Sequence, residues 1–288
     1  MVLVMVGLGL TGGFIAGLLG IGGGIIMLPL MLYIPPVFGL PALGIKDAAA
    51  LTVVQSLFAS LSGVIAHRRR GRVDWKLAAY LGLSGAAASL AGSWGSSFVH
   101  SDVILIVFAI LSVTAAVLMF ISPIERDGDS EKFSKALAVV GGLCIGGAAG
   151  IVGQGGAFLY VPLMIHLLKI PTRVALGSSL VISALTGFAG FLGRAGTGQI
   201  DYFLAGALII GAIPAAQLGG WLSSRLHVTV LRRILGIIIS ITAFRMLVGI
   251  TTWFTAGYIV LGIILIALVI RFCQKKSSNS SFLTEKNM

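Results

Sequence analysis

"GIGGGIIMLPLM", Gly20 to Met31, decides how this chain is read, because "GQGGAFLYVPLM", Gly153 to Met164, repeats it 133 residues later. The two stretches lie within apolar runs, 2 to 33 and 136 to 168. Glycine is costly inside a helix because it loses the most backbone freedom there, and it reaches conformations closed to other residues. A weakening pattern written twice therefore marks two breaks, at "GIGGG" and "GQGG". Pro29 and Pro162 follow, and are expected in the first turns of the restarted helices, where a missing amide costs little.

The composition around these stretches sets the class. Only 10% of the 288 residues are charged, against roughly a quarter in soluble domains, and the mean hydropathy is +1.06. Apolar segments run near 2 to 33, 48 to 66, 75 to 97, 102 to 122, 136 to 168, 174 to 193, 202 to 222, 230 to 250 and 253 to 273. A spanning helix needs about 20 mostly apolar residues, so the chain reads as an all-α polytopic membrane protein with no room for a soluble domain. Barrel strands would alternate and be about half as long. The formal charge of +11 comes from short clusters between segments and from the tail, a pattern of membrane topology rather than of nucleic-acid binding. The first ten residues, "MVLVMVGLGL", lack a basic leader and read as mature structure. Cys144 and Cys273 show no C-x-x-C or zinc spacing, so neither a disulfide framework nor a metal site is indicated. "GLGLTG", Gly7 to Gly12, has the glycine spacing of a dinucleotide fingerprint, but the first acidic residue is Asp47 and no soluble strand-helix unit surrounds it. No cofactor is expected.

Sliding the chain on itself extends the match. "GRVDWKLA" from Gly71 pairs with "GQIDYFLA" from Gly198, and "LAGSWGSSFVHSDV" from Leu90 with "QLGGWLSSRLHVTV" from Gln217, both at a spacing of 127. "SLSG" ending at Gly63 pairs with "ALTG" ending at Gly187, at 124. The chain thus reads as a duplicated half, 1 to 122 and 136 to 252. A polar linker at 123 to 135 joins the copies, an extra helix at 253 to 273 follows, and 274 to 288 form a disordered basic tail. Internal duplication of this kind recurs in secondary transporters.

The basic residues indicate how the halves are oriented. The first half carries Arg68, Arg69, Arg70, Arg72 and Lys76 between its second and third segments, where the second half has only Arg194. In the second half the charge sits at Lys169 with Arg173, and at Arg225 with Arg232 and Arg233. Cytoplasmic loops are the basic ones, so all these clusters and the C-terminus share the cytoplasm if the halves are inverted. Inversion needs an odd number of crossings per half. It follows if each long segment doubles back at its glycines, as a re-entrant hairpin or as two short spans.

A helix broken at membrane depth leaves unpaired amides at its restart, with the positive end of its dipole toward the gap. Two breaks at matching positions point to one shared site for a small anion near the midplane. No Asp or Glu lies within a segment interior, so a cation or proton pathway would lack ligands. The candidate binding residues are Gly22, Gly23, Gly24, Gly153, Gln154, Gly155 and Gly156 at the breaks, with Thr52, Gln55, Ser56, Ser178, Ser179 and Gln217 on neighbouring segments. In the 124 spacing Gln55 pairs with Ser179. Serine and threonine also glue membrane helices together, which is the alternative role of these hydroxyls. Asp74 and Asp201 read as helix caps, and Trp75, Trp94, Tyr202 and Trp221 as interface aromatics. Arg245 reads as a snorkelling cation, and His166 as a partnered residue at a helix end.

"GFIAGLLGIGGGIIMLPLM", its repeat "GAAGIVGQGGAFLYVPLM", "VALGSSL" at 174 to 180 and the two G-x-[VI]-D-[WY] stretches resemble the TauE/SafE sulfite exporter family of bacterial permeases. The likeness covers about residues 6 to 270. It implies a multi-pass plasma-membrane carrier, not an enzyme, for small sulfur-containing anions such as sulfite, thiosulfate or organosulfonates. Its motifs fall on Gly20 to Gly24, Gly153 to Gly156, and Gly177 to Leu180; the first-half counterpart of "GSSL" reads "VVQS", Val53 to Ser56. Two other readings remain: an anion channel of the same fold, and an intramembrane serine protease using Ser84 of "GLSG". Partners beyond the anion and the lipid bilayer, including the oligomeric state, leave no signal in the sequence.

Overall fold

The computed structural model describes residues 1–68, 73–120 and 133–223, with part of 225–244. The linker up to 132, Arg245, the expected extra helix at 253 to 273 and the tail lie outside the described residues. Every regular element among the described residues is helical. α1 (Val2–Leu19) and α2 (Gly24–Val37) flank the first glycine stretch, followed by α3 (Ile45–Arg68), α4 (Trp75–Gly95) and α5 (Ser101–Phe120). α6 (Lys135–Val152) precedes the second stretch, and α7 (Ala157–Pro162) runs into a π-helical turn, Leu163–Leu167. α8 (Thr172–Ala195) and α9 (Tyr202–Ser223) follow, and residues 236–241 beyond them are helical as well. Of these, α1, α3, α5, α6, α8 and α9 are long and apolar enough to cross a membrane. Phe203, Ile210 and Leu218 of α9 are exposed, as suits a lipid-facing surface.

Both glycine stretches interrupt their helices. Gly20, Gly22 and Gly23 have φ of 68°, 67° and 76°, and Gly153 and Gly156 have φ of 80° and 69°, left-handed values that a side chain with Cβ resists. After each break the chain folds back. Met27 packs its side chain against Gly12, although fifteen residues of straight helix would separate them by about 22 Å. Tyr160 likewise donates its hydroxyl to the Gly142 carbonyl at 3.4 Å, where a continuous helix would hold them about 27 Å apart.

The prolines sit deeper than expected. Helix restarts at Gly24 and Ala157 make Pro29 and Pro162 the sixth residue of each arm, past the turn whose amides are free anyway. Each removes one helical hydrogen bond. After Pro162 the ladder widens, with the Leu168 amide donating to Leu163 O at 3.2 Å.

Small residues set the packing. Gly9, Gly13 and Gly17 of α1 press against the backbone of Leu208, Ala212 and Ala216 of α9, and Gly142, Gly146 and Gly150 of α6 against Leu81, Gly85 and Ser89 of α4. In each seam both helices advance four residues per contact and run in the same direction, close enough that any Cβ would strike a carbonyl. Lipid offers helices no hydrophobic reason to associate, so such close backbone contact supplies the attraction. The two seams are related by spacings of 133 on the glycine side and 127 on the facing side. α3 and α8 cross between them, antiparallel: Gly63 meets Leu180, Gly187 meets Leu57, and Gly190 meets Val53.

Helix ends follow from local chemistry. Asp74 caps α4, its Oδ1 accepting from the Leu77 amide at 3.0 Å, and Asp201 Oδ1 accepts from Phe203 and Leu204 at the start of α9. Trp75, Trp94, Tyr202 and Trp221 are exposed near helix ends, and Arg225 lies over the Trp221 ring at 3.8 Å.

Candidate functional site

Ser56 and Ser183 are each the twelfth of 24 residues in their helices, so both stand at mid-length of the two longest rods. The breaks arrive there. A Cβ built on Gly22 would lie 2.6 Å from Ser183 Oγ, 2.9 Å from Ser56 Oγ and 3.0 Å from Ser60 Oγ, and one built on Gly155 would meet Ser183 Oγ and Ser56 Oγ as well. Glycine at these points is what allows both backbones to touch one serine cluster. Ser60 donates to Ser183 Oγ at 3.0 Å. All three serines are fully buried.

Two glutamines complete the centre. Gln55, one residue before Ser56, holds its Nε2 3.0 Å from a Cβ built on Gly23, and Gln154 lies against Gly24 across the two breaks. Both side chains are buried, and neither amide nitrogen nor amide oxygen has a hydrogen-bond partner; Ser56 Oγ has none either. An unpaired buried polar group costs about 1–3 kcal/mol. Five such atoms at one point are a costly arrangement for packing alone.

The carbonyl side of the breaks is served instead. Ser179 donates to Gly20 O, Thr186 to Gly155 O at 2.6 Å and Ser93 to Gly150 O at 3.0 Å. Arg194, fully buried near the end of α8, donates to Ile151 O at 2.9 Å and to Gly150 O and Gln199 Oε1. Its charge thus lies at the carbonyl end of α6, where a cation complements the helix dipole. The first amides of α2 have no carbonyl one turn earlier to bind. α7 has only six α-helical residues before the π turn, so the dipole at the centre comes from α2, and the second break contributes Gln154 and the Gly155 backbone.

The expected site residues therefore divide. Gly22, Gly23, Gly24, Gln55, Ser56, Gln154 and Gly155 gather at the centre. Gly153 and Gly156 hold the turn, with Gly153 against the Ala49 carbonyl. Thr52 is buried but donates to Ala48 O at 2.7 Å and toward Met31 Sδ at 3.6 Å. Ser178 accepts from the Asp74 amide at 2.9 Å, which ties it to the start of α4. Ser179 reaches the first break as a partner of its carbonyl. Gln217 is on the exposed face of α9 and stands outside the group. Ser60 and Ser183 join it without having been singled out in the sequence, and Arg194 stands apart from it at the end of α6.

Ser56 and Ser183 are equivalent by environment, and they lie 127 residues apart, not 124. Gln55 and Ser179 meet different glycines of the first break, Gly23 and Gly20. Ser84 donates to its own helix at Tyr80 O, 2.7 Å, and Leu81 O, 3.3 Å. Among the described residues no group of acidic, histidine or cysteine side chains could hold a metal ion.

The described helices include six long and apolar enough to cross a membrane, and two arms fold back onto buried, unpaired polar atoms. The family profile described as sulfite exporter TauE/SafE matches residues 5–246, and the chain belongs to that family. A probable membrane transporter protein of Xylella fastidiosa (strain 9a5c) is 31% identical over 82% of this chain and 91% of its own. The probable membrane transporter protein YunE of Bacillus subtilis is 24% identical over 82% of this chain and 93% of its own. No solved structure matches the chain. These relatives are described as probable membrane transporter proteins, and the chain is accordingly a membrane transporter rather than an enzyme.

Proposed function

We propose that the protein is an alternating-access carrier of small sulfur-containing anions such as sulfite, thiosulfate or organosulfonates. One observation carries the reading: both helix breaks reach the same mid-length serines, with unpaired amides of Gln55 and Gln154 beside them. Neutral donors and a helix start favour negative charge. The proposed binding set is Gly22, Gly23, Gly24, Gln55, Ser56, Ser60, Gln154, Gly155 and Ser183, with Gly153, Gly156, Thr52, Ser178 and Ser179 supporting it.

The halves are taken as inverted repeats. The antiparallel crossing of α3 and α8, and two seams that exchange at fixed spacings, support this. Rigid rocking of one repeat against the other around a fixed centre is the motion such folds allow. Leu176 abuts Gly20, α1 ends beside the last turns of α9, and Ser178 bonds the start of α4. Arg173, Arg225 and Lys76 therefore sit at one end of the bundle. By the excess of Lys and Arg in cytoplasmic loops that end faces the cytoplasm, in a bacterial plasma membrane, and the C-terminus is assigned to the same side.

Flux into proteoliposomes containing labelled sulfite tests the carrier. Saturable exchange that speeds up when unlabelled sulfite is placed on the far side is expected. Ohmic current at channel rates would make the same site a pore lining and overturn the carrier reading.

A further inference from the structure

The centre is buried, polar and without ionised groups. The polar side chains that meet there come from α3, the second break and α8 and are serines and glutamines, while the first break and the start of α2 bring backbone; Arg194 alone is charged among the described buried polar residues. Its guanidinium is engaged with the carbonyls that end α6 and with Gln199, so it offsets a negative dipole end before it offsets a ligand. Such a cage stabilises an anion with dipoles only.

The cost of burying charge grows with the square of that charge, whereas the attraction of a fixed dipole grows only linearly. A dianion therefore costs fourfold more to desolvate for twofold more dipole attraction. The glutamines add a second condition. Each leaves its Oε1 without a donor as well as its Nε2 without an acceptor. A ligand that satisfies the centre brings a hydrogen-bond donor along with its oxyanion oxygens. A singly charged protonated oxyanion meets both conditions, a singly charged sulfonate meets the charge condition alone, and a fully deprotonated dianion meets neither.

From these two conditions we propose that the site selects singly charged oxyanions over doubly charged ones, so that sulfite is carried as hydrogensulfite. The inference rests on the anion-carrier reading above and deepens it. Tyr160 packs against Gly156 and Arg194 bonds the Gly150 carbonyl, and neither type changes charge near neutrality; His166 is the imidazole on the second arm, in the π-helical turn beyond Pro162, and competition between two anions at one pH is independent of it.

The test uses full-length protein in proteoliposomes exchanging labelled sulfite. Methanesulfonate and sulfate, tetrahedral anions of similar size with one and two charges, compete at equal concentrations. Sulfite exchange is also measured on the acid and alkaline sides of its second ionisation. Methanesulfonate should compete at least about tenfold better than sulfate, a difference of about 1.4 kcal/mol. Exchange at low sulfite should track the hydrogensulfite fraction. If sulfate competes as well as methanesulfonate, or exchange follows the dianion, the inference fails while the carrier stands. If no anion exchanges at all, both fail.

Discussion

Gly155→Ala places one methyl at the meeting point of the two breaks. The added Cβ comes against Ser183 Oγ, with Ser56 Oγ at 2.8 Å and the Ser183 carbonyl oxygen at 3.0 Å. Gly155 is not among the residues of positive φ, so the substitution acts through space alone. Ser183 Oγ can rotate away only by giving up the hydrogen bond from Ser60, and the carbonyl oxygen cannot rotate at all. Overpacking of this kind costs about 1–3 kcal/mol. Carried into the bound state at about 1.4 kcal/mol per tenfold, it weakens substrate affinity by between about fivefold and about a hundredfold. The assay is the half-saturating sulfite concentration for exchange in proteoliposomes, with the thermal midpoint in detergent measured alongside. Gly198→Ala is the control. Its φ of +69° imposes strain, but nothing lies within 4 Å of the added methyl, so stability falls by about 1–2 kcal/mol and affinity holds. Wild-type affinity in Gly155→Ala would refute the convergence of both breaks on one site.

Three further outcomes follow from the same geometry. Gln55→Leu and Gln154→Leu remove buried amides that have no partners, so thermal stability should hold or rise by about 1 kcal/mol while exchange is lost; a fall in both would mark the glutamines as structural. Arg194→Met strips donors from the Gly150 and Ile151 carbonyls and should destabilise the protein by about 2–3 kcal/mol, read as a lower thermal midpoint, with Arg194→Lys intermediate. The wild-type protein should not cleave a labelled transmembrane peptide, and Ser84→Ala should leave exchange unchanged, because the Ser84 hydroxyl bonds carbonyls of its own helix; cleavage that disappears in Ser84→Ala would revive the protease.

The breaks were legible in the sequence because glycine and proline act locally. A run such as "GIGGG" cannot continue a helix cheaply whatever surrounds it, and the left-handed φ values at Gly22, Gly23 and Gly156 express that. The helix pairings were harder. Small-residue faces look alike, so "SLSG" aligned with "ALTG" by composition at 124, although the flanking matches at 127 bring Ser56 onto Ser183. Carrying the 127 spacing through α3 and α8 would have found Ser183. The glycines at fourfold spacing, Gly9, Gly13 and Gly17 with Gly142, Gly146 and Gly150, are the sequence mark of close helix seams. Arg194 gave no local clue. It follows an apolar run at a helix end, where a solvated cation reads the same, and only the fold brings the carbonyls of α6 beside it.

The most direct measurement is an experimental structure of the protein with selenite, the heavier analogue of sulfite, located by its anomalous scattering. A single selenium peak within hydrogen-bond reach of Gln55, Gln154, Ser56 and the Gly22–Gly24 backbone is the predicted result. A peak at the helix ends, or an empty centre with the anion bound elsewhere, would contradict the account.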